Sequence, residues 1–180
     1  NAERVFTNTY KAASTDATIK ATKKITGKEL VADAYTFELK EKDTDKVVAT
    51  AKNAASGEVV FNVNYTEAGD HTYTITEVQG GEKGVTYSTE SYTVKVNVVD
   101  NGQGQLVATV KDADAERPFT NTYKAASTTV NITAKKVLEG KALEAGKYEF
   151  ELKEGNKVIG TATNAADGTV AFEGIEYKEA

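Results

Sequence analysis

Residues Tyr73–Val78 read YTITEV, and the direction in which each of these side chains points decides the fold. In an extended strand alternate side chains share a face, so Tyr73, Ile75 and Glu77 lie on one side and Thr72, Thr74 and Thr76 on the other. β-Branched and aromatic residues alternating in this way indicate a half-buried strand. Working outward, the same signal predicts strands near residues 17–26, 35–41, 46–52, 58–65, 71–79, 91–100, 105–111 and 116–123. They are separated by TGKEL, KDTDK, AASGE, EAGD, GGEKG and DNGQG. The Asn-Gly pair within Asp100–Gly104 is a hairpin signal, since both residues tolerate positive φ. No stretch has a helical period, although Val31–Ala34 has room for one turn. About eight short strands in roughly 110 residues predict an all-β fold, an immunoglobulin-like antiparallel β-sandwich.

The sandwich is expected to recur. FTNTYKAAST occurs at Phe6–Thr15 and again at Phe119–Thr128, an offset of 113 residues (121 minus 8). At that offset Ile19 falls on Ile132, Ala21 on Ala134, Lys23 on Lys136, Gly27 on Gly140 and Leu30 on Leu143. YTFELKE then matches YEFELKE and, after a two-residue deletion, KVVATAKNAASGEVVF matches KVIGTATNAADGTVAF. A period this long is domain-sized and implies tandem repeats. Residues 1–13 read as the closing strand of a preceding repeat, 14–123 as one complete domain and 124–180 as the first half of the next. The terminal EYKEA matches NYTEA at Asn64–Ala68, so the chain reads as an interior piece of something longer.

Composition removes several function classes. The chain has no Cys, which excludes disulfides, zinc–thiolate sites and thiol nucleophiles. A net charge of −5 with interspersed signs offers no footprint for nucleic acid or an anionic membrane. No apolar run is long enough to span a bilayer and no signal peptide is present. His71, the single histidine, follows the EAGD turn and reads as a solvated edge residue without metal partners. DNGQG lacks the acidic ligands of a calcium loop, and Asn64 and Asn131 stand in weak glycosylation patterns. No cofactor and no metal are expected.

Three polar residues fall on otherwise apolar faces. Lys23 shares its face with Ile19, Ala21 and Ile25; Glu77 shares its face with Tyr73 and Ile75; Asn121 shares its face with Phe119 and Tyr123. One reading is a misphased strand, or a buried Lys23–Glu77 salt bridge, which often only breaks even against an apolar substitute. The sharper reading is chemical. Desolvation disfavours charged forms, and a neutral amine is a nucleophile toward the Asn121 carboxamide. A protonated Glu77 would hydrogen-bond the amide oxygen, polarise it and carry protons to the departing ammonia. The product is a Lys23–Asn121 side-chain amide.

The opening strand IKATKKI, the strand YTITEV, the segment GVTYSTESYTVKVNVVDNGQGQLVATV and the closing FTNTY carry a family resemblance. The chain resembles the isopeptide-linkage domain repeats of Gram-positive pilins and surface-protein stalks. The resemblance implies an immunoglobulin-like sandwich in which Lys23 and Asn121 become bonded with Glu77 as catalyst. It places the bond on Lys23 rather than Lys24, and strand alternation selects the same lysine. Lys136 and Asn8 are the equivalent positions of the neighbouring repeats, each without its full set of partners, so one intramolecular bond is expected.

Two functions remain open. The first is a structural stalk or spacer of a cell-wall-anchored, extracellular adhesin or pilus-like protein, with adjacent repeats as its partners. The second is an adhesive module that binds a host glycan or protein through its loops. Aromatic residues gathered at loop tips such as Gly80–Gly84 would favour the second. Enzyme turnover is not expected, because the chemistry acts once and on the protein itself.

Overall fold

The computed structural model describes residues 3–178, so residues 1, 2, 179 and 180 of the expected outer segments lie outside the described chain. Every regular element among the described residues is a strand. The chain divides into two compact units, Asn1–Lys124 and Ala125–Ala180.

In the first unit the strands are β1 (Thr15–Thr26), β2 (Thr36–Glu41), β3 (Val47–Lys52), β4 (Glu58–Tyr65), β5 (Gly69–Glu77), β6 (Val85–Thr86), β7 (Ser91–Asp100), β8 (Leu106–Val110) and β9 (Pro118–Tyr123). They form a four-stranded sheet in the order β4-β1-β9-β6 and a five-stranded sheet in the order β3-β2-β5-β7-β8. The alternation that predicts the strands also builds the core. Ile19, Val59, Phe61 and Phe119 from one sheet bury against Phe37, Leu39, Ile75, Val94 and Val96 from the other. Two facing apolar layers of this kind are the basis of a sandwich.

Neighbouring strands are antiparallel with one exception. β1 and β9 run parallel, Lys23 pairing with Phe119 and Ile25 with Asn121. A parallel pair needs a long crossover, and here the rest of the unit supplies it. β6 is a further departure from the sequence reading: two residues are too short to display alternation, yet they cap the edge of β9. DNGQG forms the β7–β8 turn, with Gly102 and Gly104 in the left-handed region at φ of 73° and 82°. Val31–Ala34 makes a turn and no helix.

His71 corrects another expectation. It is half-buried rather than solvated, its ring 4.8 Å from that of Tyr65 on β4, because the tyrosine folds over it. Before β1, residues 3–12 form no strand, and Phe6 is 92% exposed. This segment is moored by the Tyr10 hydroxyl donating to Asp100 and by a bridge from Ala13 to Gln105.

The second unit contains β10 (Thr128–Lys135), β11 (Glu149–Glu154), β12 (Lys157–Thr163) and β13 (Thr169–Tyr177). β10 pairs with β13 and β11 with β12, repeating the pairings of β1 with β4 and β2 with β3. Its core is small: Val170, Phe172 and Ile175 are buried, with Ile132, Phe150 and Leu152 packed against them.

Candidate functional site

Lys23 ends the buried run of β1, and Asn121 lies two register positions further along the adjacent strand β9. Glu77, the last residue of β5, reaches them from the opposite sheet. Lys23 is 2% exposed, Glu77 6% and Asn121 0%, so all three face inward. The strand alternation was therefore in phase at each position.

The geometry joins them through one carboxylate. Lys23 Nζ lies 2.9 Å from Glu77 Oε1 and 3.0 Å from Oε2. Asn121 Nδ2 donates to the same Oε1 at 2.8 Å. Oε1 thus touches both the amine nitrogen and the amide nitrogen. Burial pushes the Lys23 ammonium below the ordinary lysine pKa, while its hydrogen bond and charge attraction to Glu77 act in the opposite direction without cancelling the shift.

Aromatic rings line the site. Lys23 Nζ lies 4.6 Å from the centre of the Tyr35 ring, a cation–π contact. Phe119 pairs with Lys23 and Phe37 with Glu77, and their rings are 5.2 Å apart. Tyr87 meets Tyr35 edge-on at 5.9 Å. Lys28 and Glu82 form an ion pair nearby, linking the loop after β1 to the loop after β5.

Three further contacts were not read from the sequence. The Ser88 backbone N–H donates to Asn121 Oδ1 at 2.7 Å. A backbone N–H can only donate, so its partner is the amide oxygen and Nδ2 must face Glu77. The sequence reading had placed the amide oxygen against Glu77; the structure turns the carboxamide the other way. Gly57 is the second. Its carbonyl accepts from Lys23 N at 2.7 Å, and its φ of +89° leaves no room for a Cβ, which would collide with the Lys23 carbonyl oxygen. The repeated Gly of AASGE and AADGT was its signal in the sequence. Arg117 is the third, 4% exposed and donating to the carbonyls of Lys20, Ala115 and Asp112. AER stands before the Phe of both decapeptides, at 2–4 and at 115–117, and that recurrence is the sequence signal by which Arg117 can be found.

The equivalent positions are only partly assembled. Lys136 Nζ sits 4.6 Å from the Tyr148 ring centre, as Lys23 sits over Tyr35, and Lys136 N donates to Gly168 O at 2.7 Å. Asn8 is exposed. Neither is placed against a glutamate by any described hydrogen bond.

A family model described as "FctA: Spy0128-like isopeptide containing domain" matches residues 19–124. Among solved structures, the major pilin from Streptococcus pyogenes aligns at 15% identity and a TM-score of 0.40, covering 91% of this chain and 74% of that one. The T-13 major pilin protein of the same species aligns at 20% identity and a TM-score of 0.43, covering 91% and 79%. The Bacillus anthracis TIE protein aligns at 17% identity and a TM-score of 0.34, covering 88% of this chain and 26% of that one. Comparison with curated proteins finds no match. The family match spans well over half of the chain and contains Lys23, Glu77, Ser88 and Asn121. The chain belongs to the family of Spy0128-like isopeptide containing domains.

Proposed function

We propose that residues 14–123 form a self-crosslinking, load-bearing repeat in the stalk of a Gram-positive cell-surface adhesin or pilus-like protein. Residues 1–13 close a preceding repeat and 124–180 open the following one. The protein is extracellular and anchored to the cell wall, and its partners are the adjacent repeats.

The reaction is a condensation of the Lys23 amine with the Asn121 carboxamide. Glu77 first takes one proton from the ammonium. The Nζ lone pair then attacks Asn121 Cγ, forming the new C–N bond and moving the carbonyl π pair onto Oδ1. The carbonyl re-forms as the Cγ–Nδ2 bond breaks. Glu77 gives its proton to Nδ2, which leaves as ammonia, and receives another from the attacking nitrogen. That last proton remains on Glu77 until ammonia or water removes it. No oxidant, metal or cofactor enters the balance. Each chain reacts once, so this is not turnover.

One observation carries the reading: Glu77 Oε1 is within hydrogen-bond distance of both reacting nitrogens inside a dry core. Holding the two groups together in a rigid interior supplies on the order of 7–11 kcal/mol of the barrier. The aromatic beside the Gly80–Gly84 tip, Tyr87, is half-buried against the core, so the loop gives no support to a glycan-binding reading.

Intact mass of the purified chain tests the proposal. The wild type should be lighter than calculated by one ammonia, and Glu77→Ala should have its full calculated mass while remaining folded. A wild type of full calculated mass would sink it.

A further inference from the structure

We infer that the Ser88 peptide N–H is the oxyanion donor of the crosslinking reaction and that Gln79 is the residue that positions it. The inference rests on the proposed Lys23–Asn121 condensation and deepens it. With the Asn121 amide nitrogen turned to Glu77, the carboxylate faces the leaving group and cannot also polarise the oxygen. That role falls to whatever holds Oδ1, and the Ser88 N–H holds it at 2.7 Å.

The geometry meets the requirement for an oxyanion donor. As Nζ adds to Cγ, the π pair collects on Oδ1, and a fixed N–H already in place gains strength as that charge grows. When the Cγ–Nδ2 bond breaks, the pair returns to the carbonyl and the contact relaxes to that of a neutral amide. Ser88 is 8% exposed, so water does not screen the contact.

Ser88 is held from both ends. Its N–H points to Asn121, and its carbonyl accepts from Gln79 Nε2 at 2.9 Å. Its hydroxyl also accepts from the Glu90 N–H at 3.3 Å. Gln79 lies two residues beyond Glu77 on the same chain, so the proton carrier and the brace of the oxyanion donor leave β5 together. The Gln79 side chain is exposed and not part of the core, so replacing it leaves no cavity.

Cell-free synthesis of the full 180-residue chain, quenched over time and read by intact mass, gives the rate at which ammonia is lost. Ser88→Pro removes the N–H and should slow the reaction by about 100- to 1,000-fold. Gln79→Met should slow it by roughly tenfold, less than loss of the donor itself. Gln79→Glu should be slow at neutral pH, where its carboxylate cannot donate. Its rate relative to wild type should recover as pH falls through the ordinary carboxyl range, a recovery that a purely structural role would not produce. If Ser88→Pro does not fold, the two Gln79 variants decide the matter. Both reacting at the wild-type rate, with a pH-independent ratio, would overturn the inference while the crosslink itself stands. A wild type that never loses ammonia overturns both.

Discussion

Lys23 and Asn121 occupy adjacent parallel strands, each paired not with the other but with the residue two positions from it: Lys23 with Phe119, and Asn121 with Ile25. Residues two apart share a face, so this register puts the amine and the carboxamide on the same inward side, one diagonal step apart. Slipping β9 by one residue would turn Asn121 outward and bring Thr120 or Thr122 in. The proposed condensation therefore depends on this register as well as on the residues themselves.

Asn121→Ala keeps the amine and the acid but leaves nothing to join. The bond would close 98 positions of chain (121 minus 23), and a crosslink of about that span is worth roughly 4.7 kcal/mol in the chain-entropy model. The variant also orphans the Ser88 N–H, costing about 1–3 kcal/mol more. Denaturant unfolding should show the variant less stable by that combined amount. Coincident midpoints would mean that the wild type carries no crosslink.

Ammonia loss should slow as pH rises past the pKa of Lys23. The proton that Glu77 takes from the ammonium is the one it delivers to Nδ2, so the reacting site must still hold it. Burial lowers the pKa of Lys23 from 10.5, so that proton is lost at lower pH than in an exposed lysine. Timed intact-mass measurements across a pH series check this, and a rate undiminished at the ordinary lysine pKa would count against it.

Gly57→Ala should disturb the site without touching a reacting group. The turn needs φ of +89°, and an added Cβ meets the Lys23 carbonyl oxygen. Left-handed backbone alone costs a non-glycine residue about 1–2 kcal/mol. The Lys23 main chain must then move, and bond formation should slow by about 100-fold for a displacement near 1 Å. Gly168→Ala strains the corresponding turn of the second unit and should leave the ammonia loss unchanged.

Arg117→Met should loosen the loop between β8 and β9. It removes three donations, to the carbonyls of Lys20, Ala115 and Asp112, made by a side chain that is itself buried. A cost of roughly 2–4 kcal/mol is expected. Amide exchange over residues 111–117 should accelerate, along with that of Thr22, whose N–H donates to the Arg117 carbonyl. Unchanged protection at Thr22 would show that the guanidinium is not what holds the loop to β1.

Alternation made most of the first unit legible, because eight of its strands are long enough to display a period of two. The two-residue β6 carries no such pattern and emerged only from its pairing with Tyr123 and Thr122. Lys23, Glu77 and Asn121 were legible for the same reason, as polar residues out of place on apolar faces. Ser88 was not, because it acts through its backbone, and every residue but proline has that N–H. His71 was misread because the ring that covers it, Tyr65, belongs to a different strand. Sequence periodicity describes one strand at a time, so contacts made between strands by single side chains escape it.

The diagonal of β1 and β9 has a topological consequence. If Lys23 and Asn121 are joined as proposed, the chain between them is a closed ring and the rest of the protein continues from its junction. The loop of residues 42–46 and the loop of residues 111–116 both lie on that ring and at the surface. A protease cutting either one opens the ring without dividing the molecule, so the segments on each side of the domain stay covalently connected after a nick that would sever an ordinary repeat.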